Sequence, residues 1–214
     1  MTRFVVGLDA VVTGVSVAAF VEGGDGPVTR FVRAPRIDKY SAVTETSRTV
    51  VTANDAVESV LRSGIPKFVV MMKPTFGQQR GPKKDDSGPR RLMLAGEIQR
   101  QLLEAGIPFA EISSMTLVDW LLGGGRKYPP RDFAPLEQAI QDAWRPGDPD
   151  DKGFRLTTVG VAAAAAVIAG IPTRKRVENS TLAALGEMKL PDGWELPERA
   201  SEWNRMYAKE QVSA

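Results

Sequence analysis

The chain has 214 residues, 43% of them hydrophobic and 25% charged, which fits an ordinary soluble globular protein and excludes a disordered chain, a fibrous repeat or a small disulfide-stapled scaffold. It contains neither Cys nor His, so a disulfide, a thiolate nucleophile, a Cys/His zinc site, a Ser-His-Asp triad and a histidine general base are all excluded. Lys and Arg number 28 against 26 Asp and Glu, a net +2, so any nucleic-acid binding must come from local basic patches.

Three extended segments open the chain. Residues 3–9 are β-branched and apolar, residues 14–21 repeat that character, and residues 28–32 alternate after a Gly-Asp-Gly turn at 24–26, which predicts an antiparallel meander. Thr52 or Asn54 caps a helix with apolar positions Ala56, Val57, Val60 and Leu61, stopped by Gly64. Residues 67–72 form a continuous apolar run, as a strand buried on both faces does. Residues 75–91 are dense in Gly, Pro and charge and read as a loop.

A helix over residues 91–105 is predicted from an apolar stripe at Leu92, Leu94, Ile98, Leu102 and Leu103, closed by Gly106. Residues 108–112 return as a strand. Ser113 or Ser114 then caps a short helix through Leu122, ended by three glycines. Residues 132–144 are amphipathic, residues 145–154 form an acidic Pro/Gly loop, and residues 156–169 form a helix of small residues. The apolar run at 156–171 is too short to span a bilayer, and no secretory apolar region follows the start, so a cytoplasmic protein with no membrane partner is expected. From residue 173 the composition turns polar, with a helix expected over 197–209. Residues 1–171 therefore read as one domain and residues 172–214 as a polar, partly helical C-terminal extension.

Strands that begin antiparallel and then alternate with helices predict an α/β domain with a mixed sheet. Particular stretches carry a more specific resemblance. Gly7-Leu8-Asp9 with Thr13-Gly14, the stretch Val69-Val70-Met71-Met72-Lys73-Pro74-Thr75-Phe76-Gly77, the AGIP at residues 105–108, and Gly123-Gly124-Gly125-Arg126-Lys127 stand in the order of the motifs of one family. Over about residues 3–171 the chain resembles the RuvC-type Holliday junction resolvases, especially those of bacteriophages and actinobacteria. That resemblance implies a ribonuclease H-like mixed five-stranded sheet flanked by helices. It also implies a nuclease site in which about four carboxylates hold two Mg²⁺ ions that activate water and stabilise the leaving oxygen.

Here the implied carboxylate pattern breaks. Asp9 occupies the first position, as the residual catalytic and metal residue. The second position falls on Met72, or on Lys73 if the register slips by one. The pair at the start of the last helix falls on Thr157 and Thr158, and no acidic residue lies between Arg155 and Ala169. Asp148, Asp150, Asp151 and Glu97 are the acids that could stand in for them. Two basic stretches fit phosphate: Phe76 with Arg80, Lys83, Lys84, Arg90 and Arg91, and a glycine hinge carrying Arg126, Lys127 and Tyr128. Arg90 and Arg91 stand at the start of the predicted helix, a poor place for cations unless an anion is near.

The expectation is a degenerate RuvC-like protein that binds branched or duplex DNA without cutting it and needs no cofactor. One alternative is an active Mg²⁺-dependent resolvase using relocated carboxylates. Another is a structural protein that meets a protein partner through residues 172–214. The resemblance also implies a homodimer.

Overall fold

A computed structural model describes residues 2–74, 87–123, 134–146 and 152–207. In chain order its elements are β1 (Phe4–Val11), β2 (Gly14–Val21), β3 (Val28–Arg33), α1 (Ala42–Leu61), β4 (Phe68–Met72), α2 (Ser87–Glu104), β5 (Phe109–Ile112), α3 (Ser114–Leu122), α4 (Ala134–Trp144), α5 (Phe154–Ile168), α6 (Asn179–Gly186) and α7 (Ala200–Tyr207). The strands form one sheet in the order β3-β2-β1-β4-β5. β1 to β3 are the expected antiparallel meander, and β4 and β5 run parallel to β1, so the sheet is mixed.

Strand periodicity sorts the core into two layers. Val6, Leu8, Val15, Val17, Val69 and Met71 pack under α1 and α2. Val5, Ala18, Phe68, Val70, Ala110 and Ile112 pack on the other face, against α5 and the helices around it. The tight β1–β2 turn depends on Gly14, where φ is +150° and a Cβ would stand 2.0 Å from the Val32 carbonyl oxygen.

Two helices begin earlier than the sequence predicts. α1 starts at Ala42 behind a Ser41–Thr44 capping box, not at Thr52 or Asn54. Its first turns are mostly polar and exposed, so no apolar stripe announces them. The Thr52 hydroxyl instead donates to the Arg48 carbonyl at 2.7 Å, and the Asn54 side chain accepts from Gln101 of α2 at 2.7 Å. α2 starts at Ser87, and its buried stripe is Leu94, Ala95, Ile98 and Leu102. Leu92 and Leu103 point to solvent at 48% and 68% exposure, because the residues that face the sheet recur at four-residue spacing from Leu94.

The polar C-terminal stretch holds α7 inside the expected 197–209 helix, and α6, which the sequence reading did not anticipate. Residues 172–207 pack on the same core as α5. Leu182, Leu185 and Trp203 are buried there, the Trp203 indole donates to the Val167 carbonyl at 2.9 Å, and Trp194 lies 4.4 Å from Phe68, ring to ring. Among the described residues no helix is long and apolar enough to cross a membrane.

Candidate functional site

The site begins with a glycine. A Cβ on Gly7 would stand 2.3 Å from the Ala162 nitrogen and 2.8 Å from the Thr158 carbonyl oxygen, so α5 lies directly on β1 at this point. The alanine run of residues 162–166, fully buried, keeps that approach close. Asp9 is the next residue of β1 on the Gly7 face, and it is thereby set beside the first turn of α5. Because β4 runs parallel to β1 with Leu8 opposite Met71, the end of β4 at Met72 and the following Lys73 come next to Asp9. Arg91 comes down from α2, and Ser114, Leu117 and Leu136 close the side from α3 and α4. Together with Phe154 and Thr157 these residues line a cavity of about 240 Å³ at the carboxyl ends of β1 and β4. In open α/β sheets this is where ligands bind.

Asp9 is partly buried, and its carboxyl interacts with the Arg91 guanidinium. Loss of water around its carboxyl raises its pKa from 3.8 to about 6, with the Arg91 guanidinium pulling the other way. The implied acidic positions on α5 are filled by hydroxyls that turn back on their own helix. Thr157 and Thr158 both donate to the Phe154 carbonyl, at 3.0 and 2.6 Å. Thr157 lines the cavity, whereas Thr158 is wholly buried.

Of the possible substitute acids, Glu97 is not among the cavity's lining residues. Arg100 and Gln101 on the same helix hold its carboxylate with hydrogen bonds of 2.8–3.0 Å, which push its pKa down to about 2. Asp148, Asp150 and Asp151 lie outside the described residues. Among the described residues no group of three or more Asp, Glu, His or Cys could hold a metal ion. Asp9, the one carboxylate among the described lining residues, with Lys73 and Arg91 beside it in the lining, does not by itself fit a two-metal centre.

The basic residues separate in space. Arg91 faces Asp9, the anion that its place near a helix start calls for. Arg90 turns away: its guanidinium lies over the Tyr40 ring at 4.5 Å and its Nε stands 3.9 Å from Glu45 of α1. Phe76, Arg80, Lys83, Lys84, Arg126, Lys127 and Tyr128 lie outside the described residues.

Sequence reasoning missed the walls. Leu117, Leu136 and Phe154 sit on three different helices, and no spacing in the chain links them. The place of Arg91 left a faint signal in the adjacent arginines near the start of α2.

No protein-family model matches this chain, and no curated protein matches it in sequence. Solved structures do. A structure of RuvC from Thermus thermophilus is similar with a TM-score of 0.53 at 14% identity, covering 80% of this chain and 99% of that one. A structure of T. thermophilus RuvC in complex with a Holliday junction substrate is similar with a TM-score of 0.50 at 16% identity, covering 75% of this chain and 90% of that one. The sheet order and its flanking helices thus define an α/β protein of ribonuclease H-like architecture. More particularly, the fold is RuvC-like.

Proposed function

We propose that this protein binds branched or duplex DNA on a RuvC-like scaffold and does not cut it. The observation that carries this reading is the lining of the cavity at Asp9. Where the resemblance calls for further carboxylates stand Met72 and Thr157, and the other charged residues described there are Lys73 and Arg91. Phosphodiester hydrolysis by two ions needs carboxylates to hold them, whereas phosphate binding needs cations. Support for DNA as the partner comes from the structural neighbour that was solved with a Holliday junction substrate. Further support comes from the two basic stretches of the sequence that carry Arg80, Lys83, Lys84, Arg126 and Lys127.

The chemistry required is modest. Lys and Arg side chains displace condensed counterions from the phosphates, and glycine-rich backbone lets the chain approach the strand closely. The test is the binding of a labelled four-way junction and a duplex of matched sequence across a salt series. Affinity that falls steeply with salt, and falls again when Arg80, Lys83 and Lys84 are changed to Gln together, is the expected result. No binding of either DNA at low salt would sink the proposal.

A further inference from the structure

We propose that the outer edge of β5 is a docking groove for an extended peptide segment of a partner protein, which joins the sheet as an additional strand. The proposal does not rest on the DNA-binding reading, and DNA affinity neither supports nor overturns it.

β5 stands at one end of the sheet, with β4 as its neighbour. Val69 donates to the Pro108 carbonyl at 3.0 Å and Lys73 donates to the Ile112 carbonyl at 2.8 Å, so the ladder to β4 runs through the even-numbered residues of this segment. By strand alternation the N–H and C=O of Phe109 and Glu111 point the other way, and among the described residues no bond satisfies them.

These free groups lie in a groove of about 460 Å³ with a lip on each face of the sheet. On the face of α2, Gln99 donates to the Glu111 carboxylate at 2.7 Å, and Phe109 packs against the core layer under that helix. On the face of α3 stand Thr116 and the turn after α6, where the buried Met188 anchors the exposed Glu187 and Lys189. A strand laid between two lips sends alternate side chains to each. Main-chain bonds then give affinity and the lips give selection.

Charge and shape decide the occupant. The charged residues described in the lining are Lys73, Lys189, Glu111 and Glu187, which balance. A phosphate strand finds no net attraction there, whereas a peptide backbone supplies the alternating donors and acceptors that the edge lacks. A second copy paired edge to edge would bring its own lips against these, so a single extended segment fits better. The opposite edge differs: β3 presents Arg30 and Arg33 to solvent, and exposed charges of one sign guard an edge against pairing.

The probe is an acetylated, amidated Thr-Val-Thr-Val-Thr peptide, neutral and β-branched, added to the full chain and followed by amide NMR and hydrogen exchange. Without peptide, the Phe109 and Glu111 amides should exchange fast and those of Ala110 and Ile112 slowly. With peptide at about ten times its dissociation constant, exchange at Phe109 and Glu111 should slow by about tenfold. The same peptide N-methylated at every residue loses its donors and should not bind. Glu111→Pro removes one outward donor and no bond to β4, a change that edge strands tolerate, and should abolish binding in a folded chain.

Slow exchange at Phe109 and Glu111 in the free chain, no binding of the peptide, or equal binding of its N-methylated form would each overturn the proposal. So would protection of those two amides that rises with protein concentration alone, which would make a second copy the occupant.

Discussion

Asp9→Asn should make the protein more stable above neutral pH, and the size of the gain follows from the carboxyl's surroundings. In the unfolded chain Asp9 titrates near 3.8, and in the folded chain near 6, because burial costs its charge more than Arg91 returns. Below pH ~4 the group is neutral in both states and adds no difference. Between pH ~4 and ~6 the unfolded state gives up the proton first, so stability falls by up to ~1.4 kcal/mol per pH unit, and above 6 the loss is complete. A shift of roughly two units makes that loss on the order of 3 kcal/mol at pH 8. Asparagine keeps the shape without the charge.

For a chain of this size, ~1 kcal/mol moves the melting temperature by about 2–4 °C, so the variant should melt about 6–12 °C higher at pH 8 and close to the natural protein at pH 4. Calorimetric melts in EDTA over pH 4–8 read this directly. Equal melting temperatures at pH 8, or a difference that does not change with pH, would refute the claim that Asp9 is a desolvated, unliganded acid.

Two further predictions concern the frame of the site. Gly7→Ala would drive a methyl into the Ala162 backbone, so it should destabilise the fold by about 3 kcal/mol or more and broaden the amide signals of α5, read by denaturant melts and NMR; a cost below ~1 kcal/mol would contradict the close approach of α5 to β1. Trp203→Ala removes a buried indole and its bond to Val167, and should cost about 3–5 kcal/mol in urea unfolding, whereas a surface tail would tolerate the change within ~0.5 kcal/mol.

The sheet was legible because its strands carry a period that the chain alone displays. The apolar run through Val69 and Val70 marks a strand covered on both faces, and the bounds of β2 agree with the reading residue for residue. The start of α1 was not legible. Its first buried positions are Thr49, Thr52 and Ala53, whose sizes suit close packing but whose hydropathy gives no stripe. The C-terminal stretch misled for a related reason. Leu182, Leu185 and Trp203 are buried singly among charged neighbours, and composition averaged over the stretch hides them.

In the candidate site, Asp9, Met72, Lys73 and Thr157 could be placed together because the family resemblance supplies a register for all four. That Arg90 and Arg91 part company could not be read from the chain. It follows from the helical rotation between neighbouring residues, which turns Arg91 to Asp9 and Arg90 to Tyr40.

The most direct test of the central claim is a single-turnover assay on a labelled four-way junction, with the protein in excess, in EDTA, in Mg²⁺ and in Mn²⁺. The junction should be bound in all three conditions and remain uncut. Symmetric strand cleavage that appears only with the divalent ion and disappears in Asp9→Asn would contradict it, and would mean that carboxylates outside the described residues complete a working metal centre around Asp9.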